Sequence, residues 1–270
     1  MFTKIQKPIL MGILNATPDS FSDGGKFNQL ERALEHALKM IADGATIIDV
    51  GGESTRPNSL PVSAEEQISR VVPIIEIIRQ QKTDILISID TTLSAVAEAA
   101  LNAGANIIND VSAGKNDAKM FALAAQRNVP IILMHAQGMP ETMQENPYYD
   151  NVVSEVIFEL KQRAAEAIAA GVKKENIVLD VGIGFGKRKQ DNLDLLAHLA
   201  DFLALDFPIL LGTSRKRFMG SICDVSEPAE LITATAVTTA LGVMAGVQLF
   251  RVHDVKENKQ ALDLAWAIKN

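Results

Sequence analysis

Short apolar runs alternate along this chain with longer stretches of helical period. The runs lie near 9–14, 45–50, 85–89, 105–109, 129–134, 176–180, 207–212 and 247–251. They are rich in Ile, Val and Leu and lack polar alternation, as expected of parallel strands covered on both faces. Between them lie helix patterns, clearest at 28–43, 63–80, 149–170 and 227–245. Within 155–168, Val156, Leu160, Ala164 and Ala167 recur at three- and four-residue spacing, an apolar stripe for packing on a sheet. Gly44, Gly104 and Gly171 each follow a helix pattern and precede a strand, as helix C-caps should.

Eight such units predict an α/β fold, an eight-stranded (β/α)8 TIM barrel. The strand ends carry the support. In order they bear Asn15, Asp49, Asp90, Asn109 with Asp110, His135, Asp180, Thr213 to Lys216, then Arg251 with His253. A barrel gathers all eight ends at its C-terminal mouth, where such folds keep their active sites. A doubly wound open sheet is the alternative, and it would not gather them. No low-complexity linker or break in composition divides the chain, so 1–270 reads as one domain.

Composition narrows the partners. The chain has 270 residues, 47% of them hydrophobic, and a net charge of −7. That charge argues against a nucleic-acid or acidic-membrane partner. No apolar run is long enough to span a membrane or serve as a signal peptide. The single cysteine, Cys223, excludes an intrachain disulfide, suits a reducing cytoplasm, and reads as a small buried hydrophobe.

Two polar loops carry the most chemistry. NATPDSFSDGG, from Asn15 to Gly25, and GGESTRP, from Gly51 to Pro57, each leave an apolar strand. With SIDTT at 88–92, INDVSAG at 108–114, LMHAQG at 133–138, LDVGIGFGK at 179–187, GTSRK at 212–216 and RVHDV at 251–255, they resemble the dihydropteroate synthase family across nearly the whole chain. The resemblance implies a magnesium-dependent, homodimeric transferase of folate biosynthesis, a family that sulfonamides target. Its reaction joins 6-hydroxymethyl-7,8-dihydropterin pyrophosphate to 4-aminobenzoate, releasing pyrophosphate and forming 7,8-dihydropteroate. A methyltetrahydrofolate-binding methyltransferase barrel and a non-catalytic pterin-binding relative are the alternatives. Neither needs both loops together with the cations at the mouth.

The resemblance also implies residue roles, and physical chemistry makes them reasonable. A pterin presents a flat edge of N–H donors and N and O acceptors. Asp90, Asn109, Val111, Met134, Asp180, Gly212 and Lys216 are expected to contact it. Asp180 accepts two parallel bonds from the amino-pyrimidone edge, a charge-assisted arrangement. Met134 and Val111 form the apolar wall, and Lys216 donates to the ring's oxygen and N5. Asn15, Thr55, Arg56, Arg251 and His253 are expected at the pyrophosphate, with Asn15 supplying an oxygen to Mg²⁺. Phe21, Pro57, Phe185 and Arg217 are expected to form the aminobenzoate pocket, with its carboxylate near a helix beginning after Ser214. Asp180, Lys216, Arg251 and His253 form the expected catalytic set. No nucleophilic triad is required, because positioning and electrostatics suffice.

Other residues read as structural. Asp49 serves equally well as a brace for the second loop. His135 is at least as well explained as a satisfied core histidine as a substrate contact. Asp254 reads as a cap of the last helix. Lys187 reads as a supporting charge near the ligand.

Overall fold

The computed structural model describes residues 2, 5–16, 26–54, 59–138 and 142–270, without the side chains of residues 26–28. Eight parallel strands close into a barrel in chain order. They are β1 (Ile9–Asn15), β2 (Ile47–Gly51), β3 (Leu86–Asp90), β4 (Ile107–Asp110), β5 (Ile131–Met134), β6 (Ile177–Asp180), β7 (Ile209–Leu211) and β8 (Leu249–Val252). Each lies on one of the eight apolar runs read from the sequence.

The helices wrap the outside. In order they are α1 (Lys26–Ala42), α2 (Ala64–Gln81), α3 (Ser94–Asn102), α4 (Met120–Arg127), α5 (Val152–Ala169), α6 (Lys189–Ala197), α7 (Leu199–Phe202), α8 (Arg217–Cys223), α9 (Ile232–Ala245) and α10 (Val255–Lys269). The stripe on α5 packs as read: Val156, Leu160, Ala164 and Ala167 are buried. That helix starts at 152 rather than 149 because Asn151 caps it, its Oδ1 accepting the Ser154 N–H at 3.0 Å. The 227–245 pattern is a 3₁₀ turn, Pro228–Glu230, followed by α9. Two side-chain readings are corrected. Cys223, at the end of α8, is exposed. Asp254 makes no capping bond at α10; its carboxylate instead takes Arg215 Nε at 3.0 Å and Nη2 at 2.6 Å.

Strand register divides the barrel interior into two levels. Partners across neighbouring strands share a face, and alternate residues point inward. Met11, Ile47, Ile107, Ile132, Val178, Leu210 and Leu249 fill the lower level, with Phe2 packed against them. One pleat further on, the inward positions become Asp49, Ser88, Asn109, Met134, Asp180 and Arg251, then Asp90. The other strand faces pack against the helices in the larger core. The apolar floor and the polar mouth are thus two consecutive steps of one alternation.

Candidate active site

Four charged or amide side chains from distant strands meet at this mouth. Arg251 donates Nε to Asp49 Oδ2 and Nη2 to Asp90 Oδ2, both at 2.6 Å. Asn109 donates Nδ2 to the same Asp49 oxygen at 3.1 Å. Asp49, read as a possible brace, is therefore a hub for two expected ligand contacts. It is 0% exposed, and its Oδ1, like Asp90 Oδ1, is buried without a hydrogen-bond partner among the described residues.

Burial dominates the electrostatics. It pushes the Asp90 carboxyl up to about 7, against the pull of Arg251 and with the push of Asp49. Burial also raises Asp180, opposed by the N–H of Gly182 and the charges of Lys216 and Arg251. Lys216 is lowered to about 8, first by burial and then by the Arg251 charge. Burial disfavours the Arg251 charge too, but Asp49 and Asp90 outweigh it and hold its pKa above the ordinary value.

Asp180 ends β6 opposite Met134 of β5. Its Oδ1 accepts the Gly182 N–H at 2.8 Å. Its Oδ2 faces Gly212, where a Cβ would stand 3.9 Å away. Val111 follows β4, half-buried, and Met134 is buried. Lys216 arrives after a turn closed by its own N–H to Thr213 O at 3.1 Å. Its Nζ lies 4.1 Å from the centroid of Phe185, a cation–π contact. Two residues expected at different substrates thus touch directly.

His253 follows β8. Its backbone N–H donates to Ser214 Oγ at 3.1 Å, and its Nδ1 lies 3.0 Å from the same oxygen. Arg217 is exposed and opens α8, the helix expected after Ser214. Asn15 is half-buried at the end of β1, beside Gly51. Phe21, Thr55, Arg56 and Pro57 lie outside the described residues.

His135 and Lys187 form a buried pair that the sequence did not bring together. Lys187 Nζ is 2.9 Å from His135 Nδ1. His135 Nε2 lies 3.6 Å from Glu159 Oε2, beyond hydrogen-bond reach but close enough for electrostatic attraction. A lysine directly after a glycine-rich turn was the available signal, since such turns expose many backbone carbonyls.

The family model for pterin binding enzymes matches residues 11–253. The dihydropteroate synthase of Bacillus subtilis is 48% identical over 252 residues, covering 93% of this chain and 85% of the relative. A Clostridium difficile dihydropteroate synthase structure, determined in the presence of pteroic acid, is 43% identical with a TM-score of 0.93, covering 99% of both chains. A Xanthomonas albilineans dihydropteroate synthase with 4-aminobenzoic acid is 40% identical with a TM-score of 0.92, covering 98% of this chain and 94% of that one.

Proposed function

The chain belongs to the pterin-binding enzyme family, and from that premise we propose how its barrel mouth performs dihydropteroate synthesis. The enzyme condenses 6-hydroxymethyl-7,8-dihydropterin pyrophosphate with 4-aminobenzoate to give 7,8-dihydropteroate and pyrophosphate. The observation that carries the residue-level reading is the convergence of Asp90, Asn109, Asp180 and Arg251 on one mouth, backed by an apolar floor.

Asp180 accepts the amino-pyrimidone edge, supported by the Gly182 N–H that fixes one of its oxygens. Lys216 donates to the ring from the neighbouring strand end. Asp90 Oδ1, buried and without a partner in the described structure, is an acceptor awaiting a ring N–H. Arg251, held by Asp49 and Asp90, turns its remaining donors to the leaving group, with His253, Thr55 and Arg56. Mg²⁺ fits this donor set. Asn15 offers one amide oxygen at the mouth, and Mg²⁺ takes few protein oxygens beside phosphates and waters. When bound, it would neutralise charge developing on pyrophosphate. The methylene C–O bond breaks as that charge is stabilised. The arylamine nitrogen then forms the C–N bond and loses a proton. Phe185 lines the aminobenzoate side, with Phe21, Pro57 and Arg217 completing that pocket.

A homodimer and a cytoplasmic location complete the proposal. Val237, Leu241 and Met244 lie along one face of α9 and are 54%, 58% and 47% exposed, an apolar stripe suited to a second copy. Among the described residues, no helix is long and apolar enough to cross a membrane. Pyrophosphate release by the purified chain, given both substrates and Mg²⁺, tests the reaction. No release, with pterin still bound, would leave a binding module instead.

A further inference from the structure

The loop after β6 folds over a buried cation that the reaction scheme leaves unused. Lys187 is 2% exposed. Its Nζ donates to Gly182 O at 2.8 Å and Phe185 O at 3.1 Å, and His135 O lies at 3.4 Å. The fourth neighbour is His135 Nδ1 at 2.9 Å. An ammonium has three protons and accepts nothing. His135 Nδ1 must therefore be the acceptor, and the neutral ring carries its proton on Nε2. That proton points toward Glu159, which pairs with Lys115 at 2.9 Å.

We propose that Lys187 is a positioning residue for the second-substrate pocket: it pins the 182–186 loop to the exit of β5 and thereby seats Phe185. The inference rests on the reading of Phe185 as an aminobenzoate wall. Elsewhere the loop is held by Gly184 N–H donating to Asn192 Oδ1 at 2.6 Å, Gln144 Nε2 to Gly184 O at 2.8 Å and the Tyr149 hydroxyl to Gly186 O at 2.9 Å, whereas the Gly182 and Phe185 carbonyls are held by Lys187. Gly182, Gly184 and Gly186 take φ values of 67°, 82° and 61°. A Cβ at Gly182 would stand 1.8 Å from His135 O. The Gly182 backbone thus lies against the β5 exit, while the side chain of Ile183 is buried in the core. Lys187 bonds two carbonyls of the loop and one nitrogen of the strand exit, so its ammonium is the stitch between them. The stitch extends to both substrates, through Gly182 to Asp180 and through Phe185 to Lys216.

The charges facing this group span the barrel. Asp180 on β6, Lys216 after β7, Glu159 on α5 and Asp191 on α6 act on Lys187, which burial lowers to about 7. His135 faces Lys187, Glu159 and Lys115, and burial with the Lys187 charge lowers it to about 4. The stitch is accordingly complete below neutrality and weakens as pH rises through about 7.

Lys187→Met in the full chain keeps most of the side-chain volume and removes the cation, leaving Gly182 O, Phe185 O and His135 Nδ1 without this donor. The KM for 4-aminobenzoate should rise about tenfold or more, with a smaller change in the KM for the pterin pyrophosphate. Aminobenzoate affinity should decline above neutral pH in the wild type, and the variant should lose that dependence. Nitrogen NMR supplies a readout independent of activity, since the chain has only 4 histidines. Wild-type His135 should hold the Nε2–H tautomer from about pH 5 to about pH 7, where its ring is neutral and Lys187 is charged. In the variant, its Nδ1 resonance should move as the donor disappears. An unchanged aminobenzoate KM in a folded variant, or an Nδ1–H tautomer in the wild type, overturns the proposal. Should the variant not fold, the wild-type tautomer decides alone. A wild type with no turnover would remove the synthase reading instead, leaving the tautomer measurement intact.

Discussion

Arg251 reaches across the barrel mouth to Asp90, with Nη2 2.6 Å from Oδ2, while its Nε holds Asp49 at the same distance. Two buried carboxylates share one guanidinium. Removing the guanidinium therefore does two separable things: it strips the leaving group of a cation, and it leaves a pair of buried carboxyl groups without the cation that holds them.

Arg251→Ala should lower unfolding free energy by about 3–5 kcal/mol, the usual cost of orphaning buried charge. It should also weaken the pterin pyrophosphate far more than the bare pterin alcohol. Calorimetry with the two ligands separates the effects. Equal losses would assign Arg251 to the ring or to folding.

Asp90 makes stability fall with rising pH over a defined window. The folded carboxyl keeps its proton up to about 7, whereas an ordinary aspartate loses it near 3.8. Between those values the folded state binds more protons than the unfolded state, so its stability declines as pH rises. Asp90→Asn should flatten that slope. Urea unfolding at several pH values in both proteins gives the comparison, and parallel slopes would refute the assignment.

Asp180→Asn should cost about 1–3 kcal/mol or more of pterin affinity, because the amide turns a donor toward ring N–H groups. Gly182 N–H would also lose a charged acceptor, now 2.8 Å away. Unchanged pterin binding by calorimetry would sink the role given to Asp180.

Gly182→Ala and Gly171→Ala test two kinds of glycine. Both sites have positive φ, 67° and 98°. At Gly171 a Cβ would meet only Ala125 Cβ at 3.4 Å, so the cost is backbone strain of about 1 kcal/mol. At Gly182 it would collide with His135 O, and the loss should exceed about 3 kcal/mol. Chemical denaturation of the pair reads the difference directly, and similar losses would mean the loop can lift from the β5 exit.

4-Aminobenzoate alone should bind weakly and gain affinity when pyrophosphate and Mg²⁺ are present. In sequence, Phe21 lies close to Asn15 and Pro57 directly follows Thr55 and Arg56, which are given to the leaving group, so binding of one ligand should favour binding of the other. Linkage demands the reciprocal gain. Equal affinity in titrations with and without Mg²⁺-pyrophosphate would mean a preformed pocket.

The barrel was legible because its strands are covered on both faces and read as apolar runs, unbroken at Ile131–Met134 and Ile209–Leu211. The same property hid which residue of each run turns inward. Asp49 and Arg251 are 202 positions apart, and only register joins them. Lys187 was read as a charge near the ligand because sequence cannot show that its partners are backbone carbonyls. Asp254 stands where a cap would stand, yet a bidentate arginine outcompetes the helix N-terminus for its carboxylate. Cys223 sits in a short helix whose end faces solvent, which a residue-type preference for burial could not anticipate.

The apolar floor beneath the polar mouth has a dielectric consequence. Asp49 is fully buried above this hydrocarbon, and only Asp90 and Arg251 keep a small exposure, in the direction of the mouth. A flat ring seated on the mouth would close that direction too. Two unit charges 4 Å apart attract by about 1 kcal/mol in bulk water and about 4 kcal/mol at an effective dielectric constant near 20. A ligand that displaces the last water therefore strengthens ion pairs it never touches. Part of its affinity is drawn from the protein's own charges tightening on one another, and a ligand too small to cover the mouth would forgo that share.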